Sequence, residues 1–419
     1  MGNRIKENIE NPEFLERLYR EDKKHFERAF FEIYPELSGS PMADFWKARL
    51  VFGKQREEST GVLKNEILFL IIACLIAGFL IKLPDIFNFK SESYLFYEKN
   101  AGLVVFLGLS VYAFLTKPRF NSKQLIFTML IFAASAVYIN LLPNDTNIHS
   151  VSLALLHFPL FLWYLYGLLF ADFDLKNKAA RIDYLRYNGD IVILANILLL
   201  AGVILTAITL GLFSVIGLNI EDFYMEYIAT IGLVSSPIVA TYIIKILPMV
   251  TNKIAPIIAG IFSPLVLITL VIYLISFALM GKDPYNDRDF LIIFNLMLIG
   301  VMALILFSVS ETSVEKKQRF NELVLFALSI VTLIVDLIAL SAILYRLGEY
   351  GFTPNRTAVL GLNLLIFGNL ILIMIDLFKV GFRGKRIQDV EKTIASYLPV
   401  YLVWIAIVTF GFPFIFGMK

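Results

Sequence analysis

Four side chains in this sequence carry chemistry that a lipid bilayer makes expensive. Asp336 stands in the run SIVTLIVDLIALSAIL, with no Lys or Arg within a turn or two. An ionisable group held in hydrocarbon is costly enough to mark a function or a specific partner. Asn369 and Asp376 lie in the next apolar run. At about 100° per residue they project within a quarter turn of Gly361 and Gly368, a small-and-polar seam that belongs against other helices. His157 sits beside Pro159 in an earlier run. Two kinds of chemistry fit these residues. One is a polar path that hands on a proton or a small solute. The other is a hydrogen-bonded clamp between helices, with Asp336 carrying its proton and His157 serving in packing. A single acid at mid-depth weighs toward the clamp.

A second group is acidic. Glu221, Asp222 and Glu226 fall in a segment without basic residues. Paired carboxylates there could hold a divalent metal for a lipid-linked transferase, or form a solvated interfacial turn. The rest of the sequence favours the turn. It holds no phosphate-cradling glycine loop, nucleophile elbow or kinase signature, so a non-enzymatic protein without a cofactor is expected. Cys74 is the one cysteine, and His25, His149 and His157 are in no metal-binding spacing, so no metal site is predicted. Asn196 and Asn295 read as interhelical hydrogen-bond donors, and Lys245 as a side chain that snorkels to the headgroups. Pro237 and Pro264 interrupt apolar runs, as the broken helices of transporters do.

The elements that position these residues follow from hydropathy. Of the 419 residues 58% are hydrophobic and 17% charged, and mean hydropathy is +0.74. The apolar residues gather into eleven segments, near 67–81, 100–116, 124–142, 150–171, 190–217, 227–247, 254–280, 289–310, 320–345, 357–378 and 394–417. A crossing takes about 20 apolar residues and must satisfy its own backbone as a helix. The fold class is therefore an all-α, polytopic transmembrane helical bundle of about eleven spans. With the N-terminus inside, 29 of the 37 Lys+Arg fall in the N-terminal segment and the cytoplasmic loops. That is the positive-inside asymmetry, and it leaves the C-terminus outside. No signal peptide is visible near Met1, so the first span reads as a retained anchor. A net charge of +2 without a basic stripe excludes a nucleic-acid partner. Membrane lipid is the partner the composition implies; oligomeric state is not legible.

Residues 1–64 form a separate, polar N-terminal segment before the 65–419 bundle. Asn11-Pro12-Glu13 is a helix start: N-cap, Pro at the first position, acid near the positive end. Further helices are expected over Asp22–Tyr34, broken by Pro35 and Gly39, and from Ser40-Pro41 onward. Phe14, Phe30 and Trp46 lie on their aromatic faces. Such short helices bury little alone, so this cytoplasmic headpiece either folds onto itself and the inner loops or docks a protein partner through those three side chains.

Between the ninth and tenth runs the sequence reads RLGEYGFTPNR, residues 346–356. Gly348 and Gly351 permit a tight turn, and Thr353-Pro354 starts a helix. Arg346, Glu349 and Arg356 are expected to form a local ion pair, as a lock or a gate over the bundle mouth. This stretch, with the long apolar run after it, Pro399 and Pro413, resembles an uncharacterised bacterial family of polytopic membrane proteins, the domain of unknown function 4153. The head stretch NPEFLERLYRE…FFEIYPE…FWKARL is similar to a subgroup of it. The resemblance implies a bacterial inner-membrane protein and carries no activity. Function therefore leans on the residues: a transporter-like permease for a small solute or ion, or a membrane scaffold or signalling subunit that docks a partner through its head.

Overall fold

The computed structural model describes all residues except 38–39, 88–93, 118–120, 216–218, 281–284, 286–287, 312–318 and 419. Gly39 and six of the basic residues weighed above (Lys90, Arg119, Lys282, Lys316, Lys317 and Lys419) lie outside the described residues. The described chain is helical, without strands, and divides into two compact units, Met1–Leu68 and Phe69–Lys419.

The first unit is a small helical fold. It comprises α1 (Gly2–Glu7), α2 (Pro12–Glu21), α3 (Lys23–Ile33), a 3-10 turn (Tyr34–Leu37) and the first part of α4 (Pro41–Ile81). Asn11 accepts from the Phe14 N–H with Pro12 at the first position, and Asp22 caps α3 through His25. Each cap satisfies an orphan backbone donor where the sequence predicts a start. Leu15, Leu18, Phe26, Phe30, Trp46 and Leu50 close into one buried core, joined by Ile5 from α1. Phe26 and Trp46 meet with ring centroids 5.1 Å apart. Arg49 lies over the Trp46 ring at 4.8 Å and pairs with Glu16 at 2.7 Å. One turn more of helix than the sequence suggests, and this aromatic packing, let the unit bury a core of its own.

The second unit holds the rest of α4, then α5 (Phe96–Thr116), α6 (Ser122–Leu141), α7 (His149–Phe170), α8 (Lys178–Val215) and α9 (Glu221–Ile246). α10 (Pro248–Met280), α11 (Arg288–Glu311), α12 (Arg319–Tyr350), α13 (Pro354–Arg383) and α14 (Ile387–Ile415) complete it. α9 and α14 each contain a π-helical stretch, Tyr224–Ala229 and Ile407–Gly411. Among the described residues nine helices are long and apolar enough to cross a membrane, and two shorter apolar stretches, Asn65–Ile81 and Ala259–Ile275, fall on the remaining expected segments. These are the helices of a multi-pass membrane protein.

Burial runs opposite to that of a soluble protein. Leu130, Val137, Leu156, Leu200 and Val203 are exposed, while Ser110, Thr128, Ser235, Ser329, Thr332, Asp336, Asn363 and Asn369 are buried. Apolar faces meet lipid, and small or polar residues pack helix on helix. One core joins α11, α12, α13 and α14 through Phe294, Leu298, Leu328, Leu370 and Val390. A second joins α4, α5, α7, α8 and α9 through Ala77, Tyr112, Tyr166, Tyr184 and Ile238.

Candidate functional site

The seam on α13 faces α14. A Cβ on Gly361 would lie 2.0 Å from the Trp404 ring, and one on Gly368 would lie 2.9 Å from the Tyr397 hydroxyl. Asn369 donates to the Tyr401 hydroxyl at 3.2 Å. Asp376 accepts from Thr393 at 2.7 Å and from Lys379 at 2.8 Å. Each step along α13 meets the matching step along antiparallel α14. Glycine gives the aromatic rings room, and the polar side chains bond across the gap.

Asp336 enters this seam from α12. It is 0% exposed, so not even a water-sized void touches it. Neither carboxyl oxygen has a hydrogen-bond partner, and the Asn369 side-chain oxygen has none either. The Tyr401 hydroxyl is within electrostatic reach of the Asp336 carboxyl. Asp336 and Asn369 are thus two buried side chains with spare acceptors, and the half-buried Tyr401 bonds the second. Asp376 has partners of its own among Lys379 and Thr393. His157 is not part of this seam: its Nδ1 donates to the Leu153 carbonyl of its own helix at 2.8 Å, which fixes it as a half-buried packing residue. Tyr401 was not singled out in the sequence. The signal for it is its place one turn from Tyr397 on the apolar run that follows the α13 seam.

The expected ion pair in the 346–356 loop is corrected. Arg346 donates to the Tyr285 carbonyl at 2.9 Å. Arg356 donates to the carbonyls of Tyr350 and Gly351 at 2.8 and 2.9 Å. Glu349 is exposed and makes no ion pair among the described residues. For Arg356 the reason is the helix C-terminus: α12 runs on through Gly348 to Tyr350, and its last carbonyls are better partners for guanidinium than a solvated carboxylate. Gly351, at φ +71°, turns the chain, and Thr353 caps α13 through the Arg356 N–H.

The headpiece residues are also placed differently. Phe30 and Trp46 are 0% and 1% exposed and belong to the core of their own unit, with Phe14 packed against it. Such a core needs its largest rings inside, so they offer no docking surface. Asn196 bonds the Val192 carbonyl of its own helix, whereas Asn295 accepts from Asn363 across α11 and α13 at 2.8 Å. Of the outer acids, Glu221 and Asp222 are exposed, and Glu226 lies 3.8 Å from Lys82, which also pairs with Asp85 at 2.7 Å. No cluster of three metal-ligating side chains occurs among the described residues.

One buried cation and one shared guanidinium escaped the sequence. Lys99, counted there as a loop charge, is 1% exposed and donates to the Leu142 carbonyl at 2.6 Å and to Asn144 at 2.7 Å. Arg186 donates to the Ser310 carbonyl at 2.9 Å. It stands 3.3 Å from Asp183, 3.4 Å from Glu311 and 3.8 Å from Glu391. Asp190, one turn along α8, shares its field. A four-residue spacing from Arg186 to Asp190 was the available signal; Glu311 and Glu391 come from distant helices and gave none.

Compared with family models, with curated proteins and with solved structures, the chain matches none of them.

Proposed function

We propose that this chain is a permease of a bacterial inner membrane, crossing it eleven times with the N-terminus inside and the C-terminus outside. It moves a small solute or ion, and Asp336 carries the coupled proton. The observation that supports this is the Asp336 carboxyl: fully buried at mid-helix, with both oxygens unpaired. A bare carboxylate there costs several kcal/mol, so the group needs an occupant, and a proton is the smallest. A clamp would be met by hydrogen-bonded oxygens, and an amide or hydroxyl would serve it at lower cost. The sealed arrangement is a closed state, in which helix movement at the α13–α14 seam opens the acid to one face. The resemblance of residues 346–356 to the domain of unknown function 4153 stands with this reading and adds no substrate.

The test is current measurement on proteoliposomes over a panel of small solutes and ions under a pH gradient. A current in the wild type that is lost in Asp336→Asn at equal protein content supports the proposal. No current with any solute, together with full thermal stability of Asp336→Asn, sinks it. The second reading, a scaffold with a docking head, rests on Phe45, an aromatic ring 58% exposed on the first unit. Phe45→Ala would then lose a co-purifying protein and leave every current unchanged.

A further inference from the structure

A proline inside a helix withholds its N–H from the carbonyl four residues earlier, and in lipid that carbonyl needs another donor. Ser236 serves the Leu233 carbonyl opposite Pro237 at 3.0 Å. Arg181 serves Ala395 opposite Pro399 at 2.6 Å, and Tyr138 serves Thr409 opposite Pro413 at 2.8 Å. Among the described residues no side chain donates to the carbonyls facing Pro159 and Pro264. The first, on Leu155, belongs to an apolar cluster. The second, on Gly260, lines a cavity of about 10 Å³, the size of a single water or small ion.

The cavity is polar and electronegative. Its lining includes Ser263 from α10, Ser308 and Glu311 from α11 and Asn321 from α12. The two serine hydroxyls lie 2.8 Å apart and are buried. The Glu311 side chain is 6% exposed, and its Oε1 accepts no hydrogen bond. Arg186, 3.4 Å away, has its Nε bound to the Ser310 carbonyl and shares its charge with Asp183, Asp190 and Glu391. Arg186, with Lys392 beside Glu391, therefore faces four carboxyls.

We propose that this cavity is a sodium site, formed by the Glu311 carboxylate, the Ser263 and Ser308 hydroxyls and the Gly260 carbonyl. All of these are hard oxygen ligands, which suit an alkali or alkaline-earth cation. A single carboxylate lining the cavity favours a monovalent ion, and the concentrated charge of a carboxylate ligand favours sodium, the smaller ion, over potassium. The Gly260 carbonyl serves as carbonyls of interrupted helices do in ion sites. The site is separate from Asp336, and binding there does not depend on the permease reading.

The experiment is thermal unfolding of the full chain in detergent, in sodium, potassium and choline chloride at equal ionic strength, paired with equilibrium binding of radiolabelled sodium. A saturable rise in the midpoint in sodium alone is expected, because a ligand bound only by the folded state stabilises it by mass action. Binding should reach one ion per chain, vanish in Glu311→Gln, and weaken about tenfold in Ser263→Ala. Asp336→Asn should bind as the wild type does. Equal midpoints in the three salts, an equal rise in potassium, or sodium binding retained in Glu311→Gln overturns the proposal. Ser263→Ala removes only a neutral hydroxyl, so it keeps the test decisive should Glu311→Gln fail to fold.

Discussion

At the scale of single residues, Asp336 combines full burial with two unpaired oxygens, and this has a consequence for stability. Replacing a buried, incompletely bonded polar group by an apolar one of similar size is commonly stabilising by about 1–4 kcal/mol. Asp336→Leu is therefore expected to raise the thermal midpoint in detergent while abolishing transport. A lower midpoint would mean that the carboxyl is held by bonds that its geometry does not reveal. Gly361 makes the opposite case. With Trp404 where a Cβ would be, Gly361→Ala forces the ring aside and should destabilise by about 1–3 kcal/mol. Gly348, with open space around its Cβ position, should tolerate the same change. Thermal unfolding of the two variants side by side checks both.

At the scale of elements, the prolines explain which polar side chains the bundle needs. Tyr138 on α6 donates to the Thr409 carbonyl, which Pro413 cannot serve. Tyr138→Phe leaves that carbonyl unsatisfied, at a cost of about 1–3 kcal/mol. Pro413→Ala restores a backbone donor, so the loss should shrink in the double variant. A double-mutant cycle measures the coupling, and strictly additive losses would refute the link.

In the N-terminal unit, the Arg20 hydrogen bond to Glu16, and then Arg49 beside it, hold that carboxyl below its ordinary value of 4.5. A depressed carboxylate contributes stability above the unfolded value, and this is lost as pH falls through the folded one. Amide protection factors in Pro12–Glu21, corrected for the intrinsic exchange rate, should therefore fall on acidification below about pH 4.5. Glu16→Gln should flatten that dependence, and an unchanged acid limb would show that other groups set it.

At the scale of the whole molecule, orientation is the quantity to measure. In a Cys74→Ser background, D145C lies in the loop between α6 and α7, and K176C in the loop between α7 and α8. A membrane-impermeant maleimide applied to intact spheroplasts should label the first and spare the second. The reverse pattern would invert the topology and move Glu311 and the Arg186 group to the outer face.

The sequence by itself determined which parts of the chain are long apolar helices, because lipid demands such helices whatever their neighbours are. It also located the α13 seam, since helical period alone puts Gly361, Gly368 and Asn369 on one side. It located the caps at Asn11, Asp22 and Thr353, which are set by the next few residues. Only the tertiary structure decided what the seam meets. Tyr401 meets Asn369 through the antiparallel register of α14, and register is a property of two helices together. The same holds for Arg186, whose partners Glu311 and Glu391 stand on other helices, and for Phe30 and Trp46, which the folding of their unit turned inward. The Arg346–Glu349–Arg356 expectation failed for a related reason: backbone carbonyls compete for guanidinium, at the end of α12 for Arg356 and at Tyr285 for Arg346, and composition does not show where these lie. Local chemistry is written in the residue order, whereas the partner of a buried charge is settled by packing.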